Sequence, residues 1–204
     1  MDDMDDEYED RAAQQRAQKV RMELYDWIQC VVTAIICGVL VFVFIGRTIG
    51  VDGISMMQTL RNTDRVIMSN LFYTPDNGDI VVFRSPTERF HGVPLVKRVI
   101  ATEGQTIDID FETGKVYING EWNENEDKYT YTMTTGQYDF EGPLTIPSGH
   151  IFVMGDNRSN STDSRSHDVG LVDTRYILGK VLFILIPGVD DLGERDWTRF
   201  GLPG

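Results

Sequence analysis

Cysteine is nearly absent from this chain: two residues, Cys30 and Cys37, in 204. Both lie in one apolar segment, where two helical turns of ~5.4 Å would separate them, too far for a disulfide within the chain. A disulfide scaffold and a cysteine-based zinc site are therefore excluded. Basic residues are in deficit, with 19 Lys and Arg against 32 Asp and Glu and a formal charge of −13. No short window concentrates Lys and Arg, so nucleic acid, which is held mainly by phosphate neutralisation, is excluded as a partner. Histidine is scarce. His91, His150 and His167 have no motif around them, which argues against a histidine-based triad. The G-x-S-x-G elbow of lipases is missing, and so are the spacing and closing Glu of an EF-hand. There is no internal repeat. At roughly 100–200 residues per domain, the length allows one domain, or one domain with an insert.

Long hydrophobic runs are also few, but the one present is decisive. Trp27 to Ile45 holds no charge. As a helix this run spans ~28 Å, close to a hydrocarbon core of ~30 Å. A buried core helix would show a polar face, and none appears. A cleavable signal would have an apolar region of about 7–15 residues closing on small residues, whereas this run closes on Phe-Val-Phe-Ile-Gly-Arg. The sequence therefore predicts an uncleaved single-pass anchor over 27–45, preceded by a tail at 1–26. Seven of the first ten residues are acidic, and this stretch is expected to be disordered. Arg11, Arg16, Lys19 and Arg21 precede the span and Arg47 follows it. That bias puts the N-terminus in the cytoplasm and residues 46–204 outside.

Beyond the anchor the chain reads as strands and turns. Pro75-Asp76-Asn77-Gly78 is turn chemistry ahead of a β-branched run, Asp79–Phe83. Leu95–Ala101, Ile151–Met154 and Tyr176–Ile186 are further strand candidates. Thr106–Phe111 and Lys115–Ile118 flank Glu112-Thr113-Gly114 as a hairpin. Tyr129 and Tyr131 stand at strand spacing, and Gly155–Gly170 is a long polar loop of a kind that is usually functional or disordered. The class is mostly β, on a membrane anchor.

Three stretches could carry chemistry. Ser55 lies ten residues past the anchor, within ~36 Å of it even if fully extended. Its neighbours Ile54, Met56 and Met57 suit an apolar groove or membrane contact; a turn serine beside core methionines is the plainer alternative. Lys97 and Arg98 alternate across a strand, so one of them has apolar neighbours that would lower a lysine pKa toward the range of a general base. A charged pair guarding an edge strand fits the same residues. Gly155 to Arg165 is dense in hydrogen-bonding groups.

These stretches follow the order and spacing of type I signal peptidases, the membrane-anchored Ser/Lys proteases of the S26 family. Ser55-Met56-Met57-Gln58-Thr59-Leu60 resembles that family's S-M-x-P-T-L box, Gly78-Asp79-Ile80-Val81 its G-D-I-V box, and Val96-Lys97-Arg98-Val99 its lysine box. Gly155-Asp156-Asn157-Arg158 with Ser161, Asp163, Ser164 and Arg165 is similar to the G-D-N-R-x-x-S-x-D-S-R box. The resemblance runs from the anchor to about Gly188. It implies a β-rich catalytic domain with a small β insert near 106–148. It also implies Ser55 as nucleophile, Lys97 as general base, Ser161 as the group that orients the lysine, and Asp163–Arg165 as a structural ion pair. No metal or cofactor is implied. The expected substrates are preproteins bearing signal peptides, cut at the outer face of the cell membrane, with contacts to the lipid bilayer and the secretion machinery. Two departures stand out. Gln58 replaces the usual proline, and Gly53 replaces a serine that in some members completes the oxyanion hole, leaving the Ser55 N–H to act there alone or with water. Two rivals remain: an anchored β module that binds exported chains without cutting them, and a self-cleaving repressor-type Ser/Lys protease, against which the anchor and the acidic charge argue.

Overall fold

The computed structural model describes residues 2–124, 130, 139–190 and 193–203, without the side chains of 2–17, 40–45 and 88. The chain forms two compact units, divided between Ile45 and Gly46. The first is one α-helix, α1, Asp2–Ile45. The acidic tail expected to be disordered is thus helical. Ala12, Ala13, Gln14, Gln15 and Ala17 are strong helix formers. Gln18–Val39 is long and apolar enough to cross a membrane. Its apolar side chains, Trp27, Ile28 and Ile35 among them, are exposed.

The second unit is built on a seven-stranded sheet. Its strands are β1 (Arg47–Gly50), β2 (Arg65–Ser69), β3 (Ile80–Arg84), β4 (Pro94–Ala101), β9 (His150–Met154), β10 (Val172–Asp173) and β11 (Ile177–Ile186). Their spatial order is β1-β2-β11-β3-β4-β9-β10, and every pairing is antiparallel. Between β4 and β9 the chain forms a second sheet from β5 (Thr106–Asp110), β6 (Lys115–Ile118), β7 (Glu121–Trp122) and β8 (Leu144–Thr145), in the order β7-β6-β5-β8. The protein is mostly β with one N-terminal apolar helix. The strand spacing read at Tyr129 and Tyr131 lies outside the described residues.

Alternation along the strands sorts side chains into three cores. Val66, Met68, Ile80, Val82, Val181 and Ile184 pack with Met56 and Leu60 from the loop that carries Ser55. Val81, Phe83, Val99, Ile151 and Val153 fill the opposite face. Ile100, Phe152 and Met154 of the large sheet pack with Ile107, Ile109, Val116 and Ile146 around the small one, so the insert is fastened to the large sheet by apolar burial. β4 is paired on both sides, with β3 and with β9. The edge-strand reading of Lys97 and Arg98 is therefore overturned: both cations sit on an interior strand, and both are buried.

Candidate active site

Ser55 sits in the loop between β1 and β2, which is closed at its base by backbone bonds. The Val51 N–H donates to the Asp64 carbonyl at 2.8 Å, and the Thr63 N–H donates to the Val51 carbonyl at 2.9 Å. Met56 is 2% exposed and Leu60 fully buried, so these two residues anchor the loop on the sheet. Of the two sequence readings of this stretch, Met56 follows the one that made it a core methionine, because the loop folds it back onto β2, β3 and β11. Ile54, half exposed, is the apolar residue the loop presents outward.

The loop's far side is held by the segment after β9. The Ser55 carbonyl accepts from the Asn157 N–H at 3.0 Å, and the Ile54 carbonyl accepts from Asn157 Nδ2 at 3.1 Å. The Ser55 N–H has no acceptor among the described residues and is therefore available to an anionic oxygen. Gly53 has φ of +106°, a conformation that costs glycine nothing and strains a serine. Its N–H donates to Asn62 Oδ1 at 3.0 Å. Gln58 is exposed, and the Met57–Gln58 peptide is cis.

Lys97 Nζ lies 2.8 Å from Ser55 Oγ and donates also to the Val96 carbonyl at 3.1 Å. Residues 42 positions apart are thus brought into direct contact. Lys97 is 4% exposed. Burial pulls its ammonium down from the ordinary 10.5 to about 8; Asp163 opposes that shift, Arg165 adds to it, and Asp156 opposes it. A lysine at that value is neutral in about one molecule in ten at pH 7, against a few in ten thousand for a free lysine.

Asp163 and Arg165 form the expected ion pair, fully buried and bidentate, with Nε to Oδ1 and Nη2 to Oδ2 both at 2.7 Å. Asp163 Oδ2 also accepts from the Gly155 N–H at 3.0 Å, and Arg165 donates to the Arg158 carbonyl at 2.7 Å. The pair therefore braces both ends of the loop 155–165. Ser161 is placed differently from expectation. Its Oγ is buried with no hydrogen-bond partner among the described residues, and the expected bond to Lys97 is not formed, because the amine is turned toward Ser55 and Val96. A Cβ at Gly155 would collide with Ser161 Oγ and lie 2.5 Å from the Ser55 carbonyl oxygen. Glycine at 155 is what lets these groups converge.

Two further ion pairs were not anticipated. Arg98 holds Asp156 bidentately, at 2.9 and 2.8 Å, and donates to the Gly78 carbonyl at 2.8 Å. Asp156 in turn accepts from Thr59 Oγ1. Arg199 holds Asp64. Arg98 and Asp156 stand in two of the quoted boxes, but nothing in the sequence joins them; nothing in the local sequence around Arg199 singles it out.

Comparisons with known proteins bear on the family. The model of the family described as signal peptidase, peptidase S26, matches residues 24–186. Signal peptidase I of Bacillus licheniformis is 29% identical over 185 residues, covering 85% of this chain and 95% of that protein. A signal peptidase I of Bacillus amyloliquefaciens is 34% identical over 174 residues, covering 79% of this chain and 88% of that protein. A crystal structure of a signal peptidase I from Enterococcus faecalis V583 matches at 30% identity and a TM-score of 0.42, over 53% of this chain and 97% of that one. With a family match across most of its length, ending with the last residue of β11, this chain belongs to the signal peptidases of peptidase family S26.

Proposed function

We propose that Ser55 and Lys97 are the nucleophile and general base of this serine endopeptidase, which cleaves signal peptides from preproteins at the outer face of the cell membrane. The observation that carries the reading is the 2.8 Å approach of Ser55 Oγ and Lys97 Nζ in a buried site. Charged Lys97 donates to the serine oxygen. Once neutral, its lone pair accepts the Ser55 O–H instead and takes that proton as Oγ attacks the scissile carbonyl. The oxyanion forms against the uncommitted Ser55 N–H. The ammonium then returns its proton to the leaving amine, and water repeats the sequence on the acyl-enzyme. Ser161, whose buried hydroxyl lacks a partner, orients Lys97 by accepting an N–H of the amine when it turns away from the Val96 carbonyl. Asp163 and Arg165 hold the loop 155–165 in place. The helix α1 anchors the chain, with its N-terminus in the cytoplasm and residues 46–204 outside; the strands at 106–145 form the insert. Contacts with the bilayer surface and with the secretion machinery bring the preprotein to the site.

Ser55→Ala and Lys97→Ala test the reading. Each should remove nearly all cleavage of a signal-bearing precursor while leaving the thermal transition cooperative. The double variant should be little worse than either single, since members of a catalytic unit are non-additive. Turnover above about a tenth of wild type in either single variant refutes the assignment; a non-cleaving binding module would bind precursor equally well with or without these changes.

A further inference from the structure

The matched family region ends at residue 186, yet the chain after it turns back to the nucleophile loop. Ile184 and Gly201 exchange backbone bonds, the Ile184 N–H donating at 2.7 Å, and Phe200 packs edge-on against Phe183 with centroids 4.8 Å apart. This places Arg199, 12% exposed at its side chain, against the fully buried Asp64. Nη1 and Nη2 donate to the two carboxylate oxygens at 2.9 and 2.8 Å, and Nη2 also donates to the Thr59 carbonyl at 3.0 Å. Asp64 closes the loop further by accepting from the Gly188 N–H at 2.6 Å and the Arg61 N–H at 2.7 Å.

Thr59 is thereby held twice. Its carbonyl is fixed by Arg199, and its hydroxyl is fixed by Asp156, whose carboxylate is clamped by Arg98, the neighbour of Lys97. The last turn of the Ser55 loop is tied on one side to the strand that carries the base and on the other to the C-terminal segment. A planar, permanently charged guanidinium can serve a carboxylate and a carbonyl at once; an ammonium has neither that span nor that fixed geometry. Displacing a reacting atom by about 1 Å can cost 100-fold in rate.

We infer that Arg199 is a positioning residue for Ser55, and that the C-terminal residues 193–201 complete the catalytic apparatus by bridging Asp64 and Thr59. The inference rests on the reading of Ser55 and Lys97 as the reacting pair. The test compares full-length wild type, Arg199→Ala, Arg199→Lys and Ser55→Ala in detergent on a short soluble signal-peptide substrate, with the folded fraction read by near-ultraviolet circular dichroism. Arg199→Ala should lower kcat about 10- to 100-fold with KM changed less than about threefold and the folded fraction intact. Arg199→Lys, able to reach Asp64 or the Thr59 carbonyl but not both, should fall between, and guanidinium ion added to Arg199→Ala should recover part of the lost kcat. Unchanged kcat, or a loss that only tracks the folded fraction, overturns the inference. If Arg199→Ala is not recovered folded, Arg199→Lys decides alone: lowered kcat at native KM supports the inference, and wild-type kcat sinks it. Residual turnover in Ser55→Ala is a separate failure, that of the catalytic assignment itself.

Discussion

Lys97 illustrates how one side chain sets both rate and stability. Its folded-state pKa of about 8 lies below the 10.5 of the unfolded chain. Because only the neutral amine can take the Ser55 proton, kcat/KM should rise about tenfold per pH unit below 8 and level off above it. A flat profile between pH 6 and 9, with chemistry rate-limiting, would point to another base. The same shift has a sign for stability. Between pH 8 and 10.5 the unfolded chain binds more protons than the folded one, so Lys97's contribution to stability rises with pH across that window. Below it the buried ammonium costs on the order of 3 kcal/mol. Lys97→Met should therefore be inactive yet more heat-stable at pH 7, by about 5 °C, and the gain should shrink toward pH 10. Melting curves at both pH values check this; an equal or lower Tm at pH 7 would mean that the hydrogen bonds of Lys97 outweigh its desolvation.

The elements that build the site are an interior strand and two loops that close on it. β4 supplies Lys97 and Arg98, the β1–β2 loop supplies Ser55 and Thr59, and the loop after β9 supplies Asp156, Asn157 and the Asp163–Arg165 brace. The last two meet at Gly155, where there is no space for a methyl group beside the Ser55 carbonyl and Ser161 Oγ. Gly155→Ala must push the nucleophile loop away, since the nearest unyielding atom is backbone. We expect a loss of kcat of at least 100-fold and a stability cost of about 1–3 kcal/mol. Kinetics and denaturant titration of this one variant measure both; near-native kcat would show that the two loops can separate without harm.

At the scale of the whole molecule, helix and catalytic unit divide the labour. The three apolar cores among the described residues are built from 46–204 alone, so the second unit carries packing of its own around the site. A chain lacking residues 1–45 should fold and cut short soluble peptides at close to the full-length kcat. On a precursor embedded in vesicles it should be at least about tenfold slower, because the anchor confines enzyme and substrate to one surface and raises their effective concentration. Equal rates for both chains on vesicle-bound precursor would remove the anchor from the mechanism.

Much was legible in the sequence because it depends on local pattern. An uncharged apolar run is a membrane-length helix whatever surrounds it, and β-branched runs between turn residues produced β3, β4, β5, β6, β9 and β11 close to their observed bounds. The order of the four boxes pointed to Ser55 and Lys97 before any contact was known. Of the strands that were not legible, β7, β8 and β10 have two residues each, too few to carry a pattern, and β1 and β2 form against their partners in the sheet rather than from local pattern. Also not legible were the insertion of β11 between β2 and β3 and the meeting of Arg199 with Asp64 across 135 positions. Sequence alone determined which residues could do the chemistry and that the chain carries an apolar span. Tertiary structure decided that Lys97 loses its solvent, that Met56 is core, that Lys97 turns to Val96 rather than Ser161, and that the C-terminus grips the nucleophile loop. Desolvation and ion pairing are set by neighbours in space, and those neighbours are far apart along the chain.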